Sequence, residues 1–436
     1  MNVLLIDKGG YFLDFGLRCL GAGHEVRWFL GSLKGGLRNP QGDGMGLKKV
    51  PSWEASMRWA DIILLPDCSV YMGEMEGWRK KGFPIWGPNL EISRWEMCRQ
   101  EGMDALSYCK LIPSQTFKKI DEAIAHVRKE RKRFVAKLDG DNDTKAMSYV
   151  SKSPRDMIFM LEKWKRLGAM KWEFILQEFV KGTEVAVGGW FGPAGFSPWW
   201  CENWEHKKLM NGEVGPNTGE MGTVLRYTQD SPLGECLLKP LEGDLYRAGY
   251  TGYIDVAAIV AANGTPHPLE LTCRPGWPLH EIQQSVHPAD PVTWMAQALD
   301  GDWSGFKPRE DIALGVCLCM PDFPYNNIPH IEQCGFPVYG WDRVPRKHIS
   351  LAQVMMGEAP NDKLEKEPCV VTAGENVCTV TGVGATVVEA KERAYSYLKK
   401  IELVNSPIYR TDIGDKLEEA LPELKRHDLV RGIKYA

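Results

Sequence analysis

Two carboxylates, Asp255 and Glu270, stand inside apolar runs, GYIDVAAIVA and PLELTCR, that meet at Asn263-Gly264. An Asn-Gly pair between such runs is a strong hairpin signal, so the two acids are expected on adjacent strands. A partly buried carboxylate is costly unless it is paired, hydrogen-bonded or bound to metal. Two chemistries fit. One is an oxygen-liganded Mg2+ shared with substrate phosphates; the other is an ion pair with Arg274 or a lysine. A second group is Lys137, in the strand-like run RFVAKL, and Lys145, across LDGDNDT. Lysine serves phosphate sites as a point charge beside backbone amides. Two solvated surface lysines among acids fit the local pattern better, since Gly140 is the only glycine of that loop. A third is QEFVKGTE, with Glu178 and Glu184 on either side of a turn at Lys181-Gly182. A strand edge there suits a purine base, and a carboxylate suits ribose hydroxyls; a solvated turn is the alternative.

The run VGPNTGEMG, residues 214–222, packs three glycines, a proline and an Asn-Thr pair into nine positions. Glycine and proline break helices and strands, so the run is expected to be a shaped loop displaying backbone amides and small polar side chains.

These residues need a scaffold. NVLLID, HEVRWFL, ADIILLPD and FPIWGPN are short apolar runs separated by helical stretches, the pattern of a doubly wound parallel sheet. Ligands of such sheets sit beyond the carboxyl ends of the strands, here residues 7–10, 66–69 and 87–89. Strand, polar loop and strand follow in RFVAKLDGDNDTKAMSYV, then the helical SPRDMIFMLEKWKRLG, with Ser153 as cap and Asp156 three residues on, then two more strands. This predicts a small α+β subdomain. Beyond residue 311 the chain turns to short strands, an amphipathic helix in TVVEAKERAYSYLKKI and a polar tail.

The 436 residues exceed one ordinary core. A 44% apolar and 25% charged composition is that of a globular protein, and a net charge of −4 argues against a nucleic-acid polymer as partner. The 12 cysteines lack metal-ligand spacing and are expected as buried apolar groups in a reducing compartment. The first residues show neither leader nor membrane span, so a cytoplasmic monomer or homodimer is expected.

The order Lys137, Lys145, Glu178, Glu184, glycine run, Asp255, Glu270, Arg274 resembles that of the ATP-grasp ligases. More closely, the chain resembles the glycinamide ribonucleotide synthetase (phosphoribosylamine–glycine ligase) family. GPNTGEMG is similar to that family's G-P-N-T-G-G-M-G, and EHKKLMNGEV precedes it at the family's spacing. PLELTCR resembles the segment ending E-F-N-C-R; IWGPN, RWEMCR, GVGATVVEAKERAY and YRTDIG resemble further family segments. The resemblance implies an α/β chain with three parts: a doubly wound acceptor-binding domain over 1–93, an ATP-grasp domain over 94–310 with a lid over about 113–182, and a β-rich domain over 311–436. It implies ATP and Mg2+ (or Mn2+) as cofactors, small acid and amine substrates, and an acyl-phosphate intermediate. Glycine and phosphoribosylamine, in purine biosynthesis, are the implied pair. The implied roles are Arg99, Lys137 and Lys145 at phosphates, Glu184 at ribose, and Glu178 with the Phe179 and Val180 backbone at adenine. Asp255 and Glu270 take the metal, and Arg274 the acyl oxygen or carboxylate. Gly215, Pro216, Asn217, Thr218 and Gly219 close over the reaction, with Asn217, Thr218 and Lys145 at the reacting atoms. Gly9, Gly10, Tyr11 and Trp277 face substrate.

The chain departs from the family in places. Arg99 stands for a lysine, Thr272 for a metal-binding asparagine, and DNDTKAM for a glycine-rich A-A-G-K-G. The first loop, G-N-G-G-R-E-H-A in the family, is DKGGYFLDFG here, and G-D-P-E is GWPL. The acceptor side is thus more altered than the ATP side, although Gly9-Gly10 and the helix behind them are expected to offer an anion site. Two alternatives follow: a ligase joining another acid or amine, as in nucleotide modification, and an inactive nucleotide-binding scaffold.

Overall fold

The computed structural model describes residues 1–138, 148–168, 173–325 and 330–436. The run Val3 to Ile6 is continuous rather than alternating because both faces of its strand are covered and its side chains are buried. Strand Asn2–Asp7 is the centre of five parallel strands in the order Lys48–Lys49, Glu25–Leu30, Asn2–Asp7, Ile62–Leu64, Ile85–Trp86. The four expected strands are there; the fifth has two residues and left no pattern to read. The winding reverses beside Asn2–Asp7, which makes its carboxyl end the switch point.

A second, antiparallel sheet of eight strands forms the body. Its order is Pro266–Thr272, Gly252–Ala261, Gly182–Gly192, Gly195–Glu205, Gly222–Thr228, Ile312–Cys319, Asn376–Gly384, Ile349–Leu351. The expected hairpin at Asn263-Gly264 is present; Gly264 takes a left-handed φ of 81° there. Position 311 marks no break in hydrogen bonding, because Ile312–Cys319 pairs directly with Gly222–Thr228. Four more strands, Val354–Pro360, Lys366–Ala373, Cys334–Tyr339 and Glu402–Leu403, make a separate small sheet.

The α+β subdomain has its own sheet, in the order Ser114–Phe117, Phe174–Glu178, Phe134–Leu138, Tyr149–Val150. Helices Ile120–Glu130 and Pro154–Leu167 cover it and close a private core around Phe117, Val127, Phe134, Leu161 and Phe174. Ser153 caps the second helix by accepting from the Asp156 amide at 3.2 Å, and Asp156 accepts from the Lys152 amide at 2.7 Å.

The parallel sheet and the body meet along an aromatic seam. Trp86 stacks on Trp190 at 6.0 Å between ring centroids, and Trp294, Trp303 and Phe306 continue the cluster. Beside it the buried guanidinium of Arg79 donates to the carbonyls of Ile85, Gly87 and Pro88 and to the Thr251 hydroxyl. Asn89 then caps helix Leu90–Met97 by accepting from the Ile92 amide at 2.9 Å. Helix Arg99–Ala105 follows and brings Arg99 against Leu269 and Glu270. Among the described residues, no helix is long and apolar enough to cross a membrane.

Candidate active site

Register decides which side chains share a face. Asp255 pairs with Thr272 and with Gly188, Ala257 pairs with Glu270, and Ala186 pairs with Asn203. Opposed residues lie on one side and alternate residues return to it. Glu184, Asn203, Glu205, Asp255, Glu270 and Thr272 therefore share one face of the large sheet.

Lys207 sits over that face. Its Nζ lies 2.9 Å from Glu205 Oε2, 3.4 Å from Glu270 Oε1 and 3.7 Å from Glu184 Oε1. Burial pulls the ammonium down, but the three glutamates more than offset that and hold it well above the usual lysine range. In return Lys207, helped by Lys137 and Arg99 and opposed by burial, brings Glu270 down to about 2. Arg99 Nη2 stands 3.8 Å from Glu270 Oε2. Lys137, on the strand Phe134–Leu138, feels burial first, then Arg99 and Lys207, and its ammonium is lowered to about 8. Lys137, Arg99 and Glu270, singled out separately in the sequence, thus form one spatial cluster. Lys145 lies outside the described residues.

Asp255 is buried, and its Oδ2 accepts from Asn203 Nδ2 at 2.9 Å and from the Tyr253 hydroxyl at 3.1 Å. Burial and the nearby Glu205 push it up to about 7. Glu220, inside the glycine run, is also buried, and burial and Glu205 raise its carboxyl well above the usual range. Among the described residues no three metal-ligating side chains are already gathered into a cage. Yet Asn203 Oδ1 and Glu220 Oε1 are buried without a hydrogen-bond partner. Buried, unpaired oxygens near Asp255, on the side of the sheet that also carries Glu270, fit a hard divalent cation that completes its shell with phosphate oxygens.

The glycine run is a correction to the sequence reading. It is not wholly loop: Val214–Asn217 pairs with Lys208–Met210, and Gly222–Thr228 already belongs to the large sheet. Proline is tolerated because the ribbon has only two strands, and so is all edge. The buried Thr218 donates its amide, at 2.7 Å, and its hydroxyl, at 2.9 Å, to the Lys207 carbonyl. Its side chain fixes the Lys207 backbone. Gly215 takes a φ of 89°, which needs glycine.

Glu178 is held by Lys132 at 2.6 Å, and the amides of Glu178 and Phe179 are taken by the carbonyls of Pro113 and Arg133. A base at this edge is left with carbonyl oxygens and Val180. The Arg133 guanidinium covers the Phe179 ring at 3.5 Å.

Arg274 stands apart from the cations Arg99, Lys137 and Lys207. Its Nη2 is 3.1 Å from Glu96 Oε1, and Glu96 Oε2 accepts from the Cys273 amide at 2.7 Å. Burial is opposed by Glu96, Cys68, Asp67 and Tyr11, which leave Arg274 above its usual range. A cavity of about 260 Å³ joins the two regions, lined among others by Trp95, Glu96, Arg99, Glu270, Thr272 and Arg274. Trp277 donates its indole N–H to Glu281 at 3.1 Å, which turns that edge toward the core.

At the switch point, Asp7 is fully buried. Its Oδ1 accepts from the amides of Gly10 and Tyr11, both at 2.9 Å, and its Oδ2 from the Phe12 amide at 2.7 Å and Trp28 Nε1 at 3.1 Å. The expected anion cradle behind Gly9-Gly10 is therefore filled by the chain's own carboxylate. The Tyr11 ring lies against Gly9, and the residue is 47% exposed.

Sequence reasoning missed Asp7, Glu96, Asn203, Glu205, Lys207 and Glu220. EHKKLMNGEV held a signal for Lys207, a lysine two residues after a glutamate that ends a strand.

No family model matches the chain. It is 26% identical over 378 residues to a phosphoribosylamine–glycine ligase of Ralstonia nicotianae, covering 81% of this chain and 83% of that one. The crystal structure of a phosphoribosylamine–glycine ligase from Thermotoga maritima superimposes with a TM-score of 0.67 at 22% identity, over 95% of this chain and 100% of the other. The biotin carboxylase domain of a Hydrogenobacter thermophilus 2-oxoglutarate carboxylase, solved with MgADP and bicarbonate, gives 0.57 at 10% identity, over 93% and 91%. Sequence and fold agree: the chain has the ATP-grasp fold and is a distant homologue of the phosphoribosylamine–glycine ligases.

Proposed function

We propose that this chain is an ATP-dependent carbon–nitrogen ligase that activates a carboxylic acid as an acyl phosphate and passes the acyl group to an amine. One observation carries the proposal: Lys137, Arg99 and Lys207 converge on one acidic sheet face, and a cavity leads from there to Arg274. ATP would lie between the subdomain sheet, acting as a lid, and the large sheet. Lys137 and Arg99 neutralise its phosphates, joined by Lys145; Glu184 takes ribose, and the strand end at Glu178, Phe179 and Val180 takes adenine. Mg2+ (or Mn2+), held by Asp255 and Glu270, would offset charge on the transferring phosphoryl group. Lys207, now paired with three glutamates, keeps Glu270 ionised for that task. Arg274 orients the acid through its carboxylate oxygens. The segment from Gly215, through Pro216, Asn217 and Thr218, to Gly219 closes over the acyl phosphate and limits its hydrolysis.

Phosphoribosylamine and glycine, the pair implied by the relatives' names, are the reference substrates, and purine biosynthesis the reference pathway. The same chemistry with another amine is a second reading, favoured by the carboxylate of Asp7 in the amide cradle. The test is release of ADP and phosphate across a panel of small acids and amines. Magnesium-dependent release that needs one acid and one amine supports a ligase. Nucleotide binding with no turnover on any pair supports the inactive scaffold.

A further inference from the structure

We infer that the amine accepted by this chain carries no phosphate group, and that Asp7 is the specificity-determining residue that excludes one. The inference rests on the ligase reading above.

Three consecutive amides, of Gly10, Tyr11 and Phe12, converge at the switch point just before helix Leu13–Gly21. Amides so arranged at a helix start are a ready anion site. Here all three, with the Trp28 indole, donate to the one carboxylate of Asp7. A phosphate brought to the same place finds its donors spent. It also meets the negative charge of Asp7, buried directly behind the loop. Burial pushes the carboxyl up to about 6 against the pull of its four donors, so it is mostly ionised at neutral pH.

The loop is not built to yield. Gln41 Nε2 donates to the Gly10 carbonyl at 2.6 Å and to the Ala352 carbonyl at 3.0 Å, bolting the loop to a distant part of the chain. Gly10 holds a φ of 78°, and the space a side chain would need is taken by Gln41. The charges nearby do not favour an anion either. Arg274 is paired with Glu96 and, on the ligase reading, serves the acid's carboxylate, and Asp67 acts on it as well. Lys8 lays its stem against Gly31. Asp67 and Glu96 suit an ammonium group instead. The acceptor class that fits is an unphosphorylated amine, neutral or cationic, with an apolar or aromatic part against Tyr11.

The test is calorimetric titration of the full chain, with MgADP present, by ribose 5-phosphate and by ribose. Wild type is expected to bind the phosphorylated sugar no better than the plain one. Asp7→Gly frees the amides and is expected to tighten ribose 5-phosphate roughly tenfold or more, without changing ribose. Wild type that prefers ribose 5-phosphate by roughly tenfold or more overturns the inference, whatever the variant does. So does faster ADP release with phosphoribosylamine than with every unphosphorylated amine. MgADP titrated alone separates the two levels: if it does not bind, the ligase reading falls and this one with it. If it binds and ribose 5-phosphate also binds wild type, only this inference falls.

Discussion

Lys207 Nζ lies 3.4 Å from Glu270 Oε1 although 63 residues separate them, one beside the glycine hairpin and one on the edge strand of the large sheet. The pair ties the hairpin to the face that carries the acids. It also sets the charge of Glu270, which stays ionised far below neutral pH.

Glu270→Ala removes an acid that three cations share. Turnover in the ADP-release assay is expected to fall more than roughly tenfold. Lys145→Ala is expected to do the same. Near-normal rates in both variants would sink the phosphate-site assignment.

Lys137 gives a pH signature. Its ammonium, lowered to about 8, is present below that pH and lost above it. MgADP affinity is expected to weaken as pH rises through about 8, and Lys137→Met is expected to bind more weakly below that pH, with the slope gone and the two curves converging above it. Titration calorimetry between pH 6.5 and 9.5 (about three units, enough to span the transition) reads both. A wild-type affinity flat across the range removes Lys137 from the phosphates.

Asp255 bears on stability. Its folded value, about 7, lies above the ordinary 3.8, so the folded chain holds a proton that the unfolded chain has lost between those values. Without metal, this group's contribution is present below about 4 and declines as pH rises to about 7. Asp255→Asn keeps an acceptor for Asn203 and Tyr253 and carries no charge. Melting at pH 8 without metal is expected about 2–4 °C higher than wild type, while added Mg2+ is expected to stabilise wild type more than the variant. A variant that melts lower and responds fully to Mg2+ contradicts both roles.

Arg79→Ala leaves the carbonyls of Gly87 and Pro88 without their donor at the seam, while Ile85 keeps the Thr251 hydroxyl. The expected loss is about 3 kcal/mol, read by denaturant melts. A loss below about 1 kcal/mol would mean that water replaces the guanidinium.

Much of the frame was legible. Val3 to Ile6 announced a covered parallel strand, and Asn263-Gly264 announced the hairpin that carries Asp255 and Glu270. Both signals are local, set by burial on two faces and by a turn that only certain residues make. The site was less legible because it depends on register. Nothing in the spacing of Asn203 and Glu205 says that they share a face with Asp255; that follows only once Ala186 is known to oppose Asn203 and Gly188 to oppose Asp255. Asp7 hid for a related reason. As the last residue of a strand it had no visible partner, and its four donors appear only when the chain doubles back. The 214–222 run misled because its composition forbids a long strand but not a short ribbon.

The unbroken ladder from Pro266–Thr272 to Ile349–Leu351 has a practical corollary. Cutting the gene after codon 310 would strip Gly222–Thr228 of its neighbour and bare a row of unsatisfied amides and carbonyls. Such a fragment is expected to precipitate or to stick to its own copies. The 113–178 segment, with its separate apolar centre, is the piece to express alone.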